Sequence, residues 1–288
     1  MHLGFIGLGT LGKTLAQRLL DCGHTLTVWN RTPGRATGLS AELVASPEEV
    51  VQAADIIFLC LLDSQAVYNV LHGEAGLLST DLSGKIIVDT TTNHFNAAGM
   101  FHEQCHDADG TYLEVPVQGS VIPASQGALT LLISGDEAAY HQVKPVLEDL
   151  GPNLFYLQQP TLATKMKLIN NGVLASFMTA LAEALALGEE VGLSRQEVID
   201  ILAVGGGNSM VLNAKRQKLL EEDFTPHFAS ALLCKDLHCL QDLAYQFKKP
   251  LFTLAPTKEL YMQMHEKSLA GEDFSGVVRL FKPDQGPS

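Results

Sequence analysis

The chain is short of the features that mark several classes of protein. Among its 288 residues there are 19 basic against 32 acidic, a formal charge of −13. So small a basic share leaves no electrostatic footprint for nucleic acid or an anionic membrane surface, and an anionic ligand has to be met by a few placed groups. The five cysteines, Cys22, Cys60, Cys105, Cys234 and Cys239, are odd in number and scattered. That argues against a disulfide framework and for small buried hydrophobes in a reducing, cytoplasmic setting. The opening MHLGFIGLG lacks a basic n-region, so no targeting leader is expected. There is no internal repeat or low-complexity segment, and the final KPDQGPS reads as a frayed tail. What the chain has is apolar content, 46%, enough for one large core or two moderate ones.

That content is organised differently in the two halves. Short apolar runs over 3–6, 26–29, 56–62, 85–89, 112–116, 129–134 and 154–157 read as strands, alternating with helical segments such as 11–22. In SPEEV, Ser46 can cap a helix, Pro47 takes its first position and Glu49 completes a capping box. Alternation of this kind predicts a doubly wound, mostly parallel sheet. Beyond Pro160 the strand signal disappears and long helices follow, one over 161–192 and another opened by the capping box Ser194/Glu197. Residues 1–160 are therefore expected to form an α/β Rossmann domain and 161–288 an all-α domain. The tract GVLASFMTALAEALALG, 172–188, approaches membrane-spanning length but is interrupted by Glu183 and followed by Glu189 and Glu190. A buried central helix is the simpler reading.

The sharpest motif is GFIGLGTLGKTLAQRLLDCGHTLTVWNRT. Gly7, Gly9 and Gly12, with the intervening Leu8, Thr10 and Leu11, form G-x-G-x-x-G between a strand and a helix, the setting of a dinucleotide fingerprint. Gly7 permits the tight turn, Gly9 lets backbone N–H groups approach a pyrophosphate, and Gly12 lets helix and strand pack closely. The second strand ends in Asn30, Arg31 and Thr32, where an NAD site usually carries Asp or Glu for the ribose 2′-hydroxyl. A guanidinium and two neutral polar groups suit a 2′-phosphate, which predicts NADP(H) over NAD(H).

In ATKMKLINNG, Lys167 and Asn171 lie one helical turn apart on a face shared with Ala163 and Ala175. By itself this is either a helix end with snorkelling lysines or a site. Lys165 falls on another face and is expected to be structural.

Taken in order, GFIGLGTLG…VWNRT, VDTTT, PVQGS…GAL, KLINN and CKDL resemble the β-hydroxyacid dehydrogenase family, which includes 3-hydroxyisobutyrate and 6-phosphogluconate dehydrogenases. Within it, VWNRT, P-V-x-G-S and K-M-K-L-I-x-N are most similar to the glyoxylate and succinic semialdehyde reductases. The resemblance implies a 6-phosphogluconate dehydrogenase-like fold and makes Lys167 the catalytic acid or base, with Asn171 orienting the substrate. It implies that Leu61, Leu62, Thr92 and Lys235 line the cofactor, and that Thr92, Gln118, Gly119, Ser120, Phe228 and Asp236 line the substrate. Hydride arrival at a carbonyl carbon puts negative charge on the oxygen, and a positioned ammonium that can release its proton stabilises it.

One departure bears on the substrate: the family usually has serine where this chain has Gln118, and the next branch position after the loop, commonly basic, is Val121. A small acid such as glyoxylate loses least room to the longer amide. The expected activity is NADPH-dependent reduction of a small aldehyde or keto acid to its hydroxy acid. Oxidation of a 3-hydroxy acid with NAD(P)+ is the alternative within the class, and a non-catalytic dinucleotide sensor or scaffold the alternative outside it. The resemblance implies a homodimer or homotetramer.

Two signals are set aside. HEQCH, 102–106, satisfies H-E-x-x-H, but no third ligand follows, and it is expected to be a solvated helix face without metal. GGGN, 205–208, follows a helix and not a strand, so it reads as an interhelical hinge capped by Asn208 or Ser209.

Overall fold

A computed structural model describes residues 1–281; the tail KPDQGPS lies outside the described residues. The chain divides into two compact units, Met1–Lys167 and Leu168–Ser288.

The first unit contains strands β1 (His2–Ile6), β2 (Thr25–Trp29), β3 (Glu42–Leu43), β4 (Ile56–Leu59), β5 (Ile86–Asp89), β6 (Thr111–Glu114), β7 (Val117–Gln118), β8 (Thr130–Ile133) and β9 (Asn153–Tyr156). Its helices are α1 (Thr10–Asp21), α2 (Pro47–Ala53), α3 (Ser64–His72), α4 (Phe95–Asp107), α5 (Val121–Ser125) and α6 (Glu137–Leu150). Six strands form one sheet in the order β3-β2-β1-β4-β5-β6. Every pairing in it is parallel. This is the doubly wound dinucleotide-binding order, with the fold reversing direction between β1 and β4.

Strand alternation shows how both faces are covered. In β4, Ile56 and Phe58 enter one core with Leu15 and Leu19 of α1, while Ile57 and Leu59 enter the other with Val67 of α3 and Phe101 of α4. Each such fully buried side chain contributes about 1.5–3 kcal/mol by leaving water. Parallel strands buried on both faces therefore read as unbroken apolar runs.

The strands do not all join that sheet. β7, β8 and β9 form a second, mixed sheet in which β7 is antiparallel and β9 parallel to β8. Glu114 and Ser134 join the two sheets through an isolated antiparallel bridge. β4 stops at Leu59, short of residue 62, because Cys60 closes its ladder against Ile6 and the chain then leaves the sheet. In SPEEV, Ser46 caps α2 by accepting from the Glu49 N–H at 3.3 Å. The Glu49 carboxylate reaches past it to the Ala45 N–H, also at 3.3 Å, so the box is displaced by one residue.

Helix α7 (Leu162–Glu190) begins in the first unit and continues through the second, which is completed by α8 (Arg195–Val204), α9 (Met210–Glu221), α10 (Ser230–Gln246) and α11 (Leu254–Glu266). Within the second unit α7 packs at its glycines. A β-carbon on Gly172 would lie 2.4 Å from Leu240 of α10, and one on Gly188 2.4 Å from Val198 of α8. By length and composition α7 could cross a membrane, yet half of its most apolar window is buried within the fold. It is not buried all round, since Phe177 is 47% and Leu187 66% exposed. The Ser194/Glu197 capping box is complete, and Ser209 caps α9 after the GGGN hinge.

Candidate functional site

The glycine fingerprint is built as a cradle. Gly7 has φ +99°, and a β-carbon there would meet the Cys60 carbonyl oxygen at 2.3 Å; one on Gly12 would meet the Gly7 carbonyl oxygen at 2.0 Å. Both are glycine because the backbone leaves no room. Gly9 differs, since nothing lies within 4 Å of where its β-carbon would be. It is the N-cap of α1, without a side-chain cap and without an acid in the first turn. Open space over uncapped N–H groups at a helix N-terminus fits a pyrophosphate. The Asn30 side chain ties this loop to the end of β2, its Oδ1 accepting from the Leu8 N–H at 2.8 Å and its Nδ2 donating to the Thr32 carbonyl at 2.9 Å. Its amide is committed to loop shape, leaving the exposed Arg31 and Thr32 as the groups turned to solvent.

Leu61, Leu62 and Thr92 lie in loops beyond the carboxyl ends of β4 and β5, not within the strands. Those loops are linked: the Leu61 N–H donates to Thr91 Oγ1 at 2.9 Å, and Thr90 Oγ1 donates to the Leu59 carbonyl at 2.7 Å. Beneath them the Asp89 carboxylate accepts from the Thr91 N–H at 2.8 Å, from Asn93 Nδ2 at 2.7 Å and from the Tyr112 hydroxyl. Burial raises the Asp89 pKa above the usual carboxylate value, and the hydrogen bonds to Thr91, Tyr112 and Asn93 work against that rise. Sequence reading missed Asp89, although an acid at a parallel strand's carboxyl end, followed by three threonines, is a local signal for it.

Gln118 ends β7, paired with Thr130. Gly119 follows at φ +118°, where a β-carbon would meet Leu129 at 2.6 Å, and Ser120 opens α5. Lys167 is 9% exposed. Lys165 is directed elsewhere, with Nζ 5.9 Å from the centre of the Phe95 ring, as its different helix face requires.

In the second unit, three of the expected site residues form one polar set. Asn171 is fully buried and its Nδ2 donates to Asp236 Oδ2 at 2.7 Å. The other carboxylate oxygen of Asp236 is 2.9 Å from Lys235 Nζ. Phe228 belongs to a different arrangement. Its N–H and that of His227 donate to Asp273 Oδ2 at 3.2 and 3.0 Å, and its ring meets Phe274 edge to face at 5.9 Å. Asp273 also pairs with Lys215 at 2.8 Å and accepts from Ser275 Oγ at 2.7 Å. Burial pushes the Asp273 pKa up, but the Lys215 ammonium and the Ser275 donors outweigh it and hold the carboxyl below the usual range. Asp273 was not legible as part of this loop's support.

HEQCH lies on α4, and its His102 is not on a solvated face. His102 Nε2 is 2.9 Å from the buried carboxylate of Glu114, with the imidazole edge-on to Tyr112 at 4.9 Å.

Known proteins resemble the chain along almost its whole length. A family model described as the NAD binding domain of 6-phosphogluconate dehydrogenase matches residues 2–158. One described as NAD-binding of NADP-dependent 3-hydroxyisobutyrate dehydrogenase matches residues 162–281. Glyoxylate/succinic semialdehyde reductase 2, chloroplastic, of Arabidopsis thaliana is 31% identical over 285 residues, which cover 98% of this chain and 80% of that protein. Cytokine-like nuclear factor N-PAC of Mus musculus is 33% identical over 279 residues, 97% of this chain and 50% of that protein. The chain thus spans about half the length of the N-PAC relatives. The crystal structure of 3-hydroxyisobutyrate dehydrogenase from Salmonella typhimurium superposes with a TM-score of 0.89 at 25% identity, covering 97% of this chain and 99% of that one. With both domain models matched in order and the dinucleotide cradle intact, the chain belongs to the β-hydroxyacid dehydrogenase family, whose members are NAD(P)-dependent dehydrogenases and reductases.

Proposed function

We propose that the chain reduces a small aldehyde or keto acid, of the glyoxylate or succinic semialdehyde kind, to its hydroxy acid with NADPH. The observation that carries this reading is the buried lysine of α7, Lys167, followed one turn later by Asn171, which donates to Asp236, whose other carboxylate oxygen pairs with Lys235. Bound NADPH supplies the hydride. The Lys167 ammonium donates a hydrogen bond to the carbonyl oxygen and transfers its proton as the alkoxide forms, which leaves a neutral amine and the alcohol. Asn171, its amide oriented by the Asp236 carboxylate, orients the substrate as a neutral donor. The turn at Gly119, whose φ of +118° suits glycine, with Gln118 before it and Ser120 after it, receives the substrate carboxylate through backbone and side-chain donors. Arg31 and Thr32 receive the 2′-phosphate, which sets NADPH over NADH.

The similarity to the plant reductase supports this substrate class. The similarity to N-PAC favours a second reading, a dinucleotide-binding module without catalysis, against which the retained Lys167, Asn171 and Lys235 argue. We also propose a homodimer or homotetramer, in keeping with the apolar side chains the second unit leaves on its surface, Phe177, Leu187, Val204 and Met210. The activity is tested by following NADPH oxidation with glyoxylate, succinic semialdehyde, methylmalonate semialdehyde, tartronate semialdehyde and non-acidic carbonyls. Turnover of the small acids is expected. Repeating the panel with Gln118→Ser is expected to shift preference toward the longer acids, and an unchanged order would remove Gln118 from the substrate pocket.

A further inference from the structure

Helix α7 begins at Leu162. The residue before it, Thr161, sits at φ +71°, a left-handed conformation that threonine rarely adopts. N–H groups at its start are met by two side chains distant in sequence, one at the end of β6 and one just past β8. Glu114 accepts from the Thr161 N–H through Oε1 and from the Thr164 N–H through Oε2, the latter at 3.1 Å, and Ser134 Oγ accepts from the Ala163 N–H at 2.9 Å. Glu114 is 1% and Ser134 0% exposed, so neither bond is shared with bulk water. His102 Nε2 holds Glu114 Oε1 from the other side at 2.9 Å. The two capping residues also pair with each other through backbone bonds of 3.0 Å in both directions, at the bridge between the two sheets.

We propose that Glu114, with Ser134, is the positioning residue for Lys167; this rests on the reading of Lys167 as the proton donor. Thr164, gripped by Glu114, lies three residues before Lys167 on the same helix face. A helix turns about 100° per residue, so the carboxylate that fixes Thr161 and Thr164 also fixes the direction in which Lys167 leaves the axis. Glu114 lies only four residues before Gln118, so one side chain sets the lysine helix against the strand end that leads into the 118–120 turn. A carboxylate at a helix N-terminus is also favoured by the helix dipole, which makes Glu114 a stable anchor at that point.

The test is a double-mutant cycle on the full chain, with succinic semialdehyde and NADPH as probes. Glu114→Gln keeps the shape but replaces one acceptor oxygen with a donor. It is expected to lower kcat about ten- to hundredfold, since small misplacements of a catalytic group carry losses of that order. KM and the Kd for NADPH are expected to stay within about twofold, because the 7–12 cradle is untouched. In a Lys167→Ala background, Glu114→Gln is expected to cause no further loss, because it acts through the lysine. Equal losses with and without Lys167, or wild-type kcat in Glu114→Gln, would overturn the proposal while leaving Lys167 as the donor. Wild-type turnover in Lys167→Ala alone would overturn the reading of the lysine and this proposal with it. If Glu114→Gln does not fold, Ser134→Ala removes a single capping bond and is read in the same cycle, with a smaller fall in kcat expected and none in the Lys167→Ala background.

Discussion

At the scale of the residue, the glycines of the cradle make separable demands. Gly12 has no room for a β-carbon, whereas Gly9 has an extended backbone and open space. Gly12→Ala is therefore expected to lower both thermal stability, by about 1–3 kcal/mol as overpacked sites do, and NADPH affinity. Gly9→Ala is expected to leave the melting temperature near wild type and to raise the Kd for NADPH about tenfold, a cost of about 1.4 kcal/mol. Fluorescence titration of NADPH beside a thermal melt separates the two. Arg31→Ala is expected to raise the KM for NADPH but not for NADH, by about tenfold if one charge-assisted hydrogen bond of about 1.5–3 kcal/mol is lost. The glycines were legible in the sequence because their demands are local, in the turn between β1 and α1. Asn30 was legible as a position but not as a part. Its bond to Leu8, 22 residues away, exists only once the two strands lie side by side.

At the scale of the element, the long apolar strands were readable because each is buried on both faces. The two-residue strands β3 and β7 carry no periodicity to read. Supports that join distant segments were not legible at all: the α7 cap spans 47 and 50 residues from Glu114. The same holds for Asp273, which lies 45 residues from the Phe228 N–H that it accepts. This carboxyl is held below its ordinary value of 3.8, so it adds stability above that pH, and the contribution is lost as pH falls through the lower folded value. Urea unfolding as a function of pH is expected to show wild type losing stability on acidification below about pH 4 more steeply than Asp273→Asn. Equal slopes would show that Asp273 is not a stabilising charge.

At the scale of the whole molecule, the odd cysteine count was correctly legible as the absence of a disulfide framework, and all five thiols are free. Burial pushes Cys60 and Cys239 up to about 11 and Cys105 up to about 12. Iodoacetamide at pH 8, read by peptide mass mapping, is expected to label Cys22 first and to leave these three unmodified until the protein unfolds. The apolar surface of the second unit predicts a mass of two or four times 31.0 kDa in light scattering, and a 31.0 kDa particle would contradict the proposed oligomer. Function was legible to the level of the family, because the fingerprint and the K-x-x-x-N pair each depend on a few neighbouring residues. The substrate was not, because the role proposed for Gln118 depends on a pocket shape that no spacing encodes. The central claim is that Lys167 delivers the proton to the reduced carbonyl. Its most direct test is NADPH oxidation by Lys167→Ala with succinic semialdehyde, alongside NADPH binding by fluorescence. The account predicts unchanged binding with kcat lowered about 10²- to 10⁴-fold, the range of a lost general acid; a folded variant that binds NADPH and turns over at the wild-type rate would contradict it.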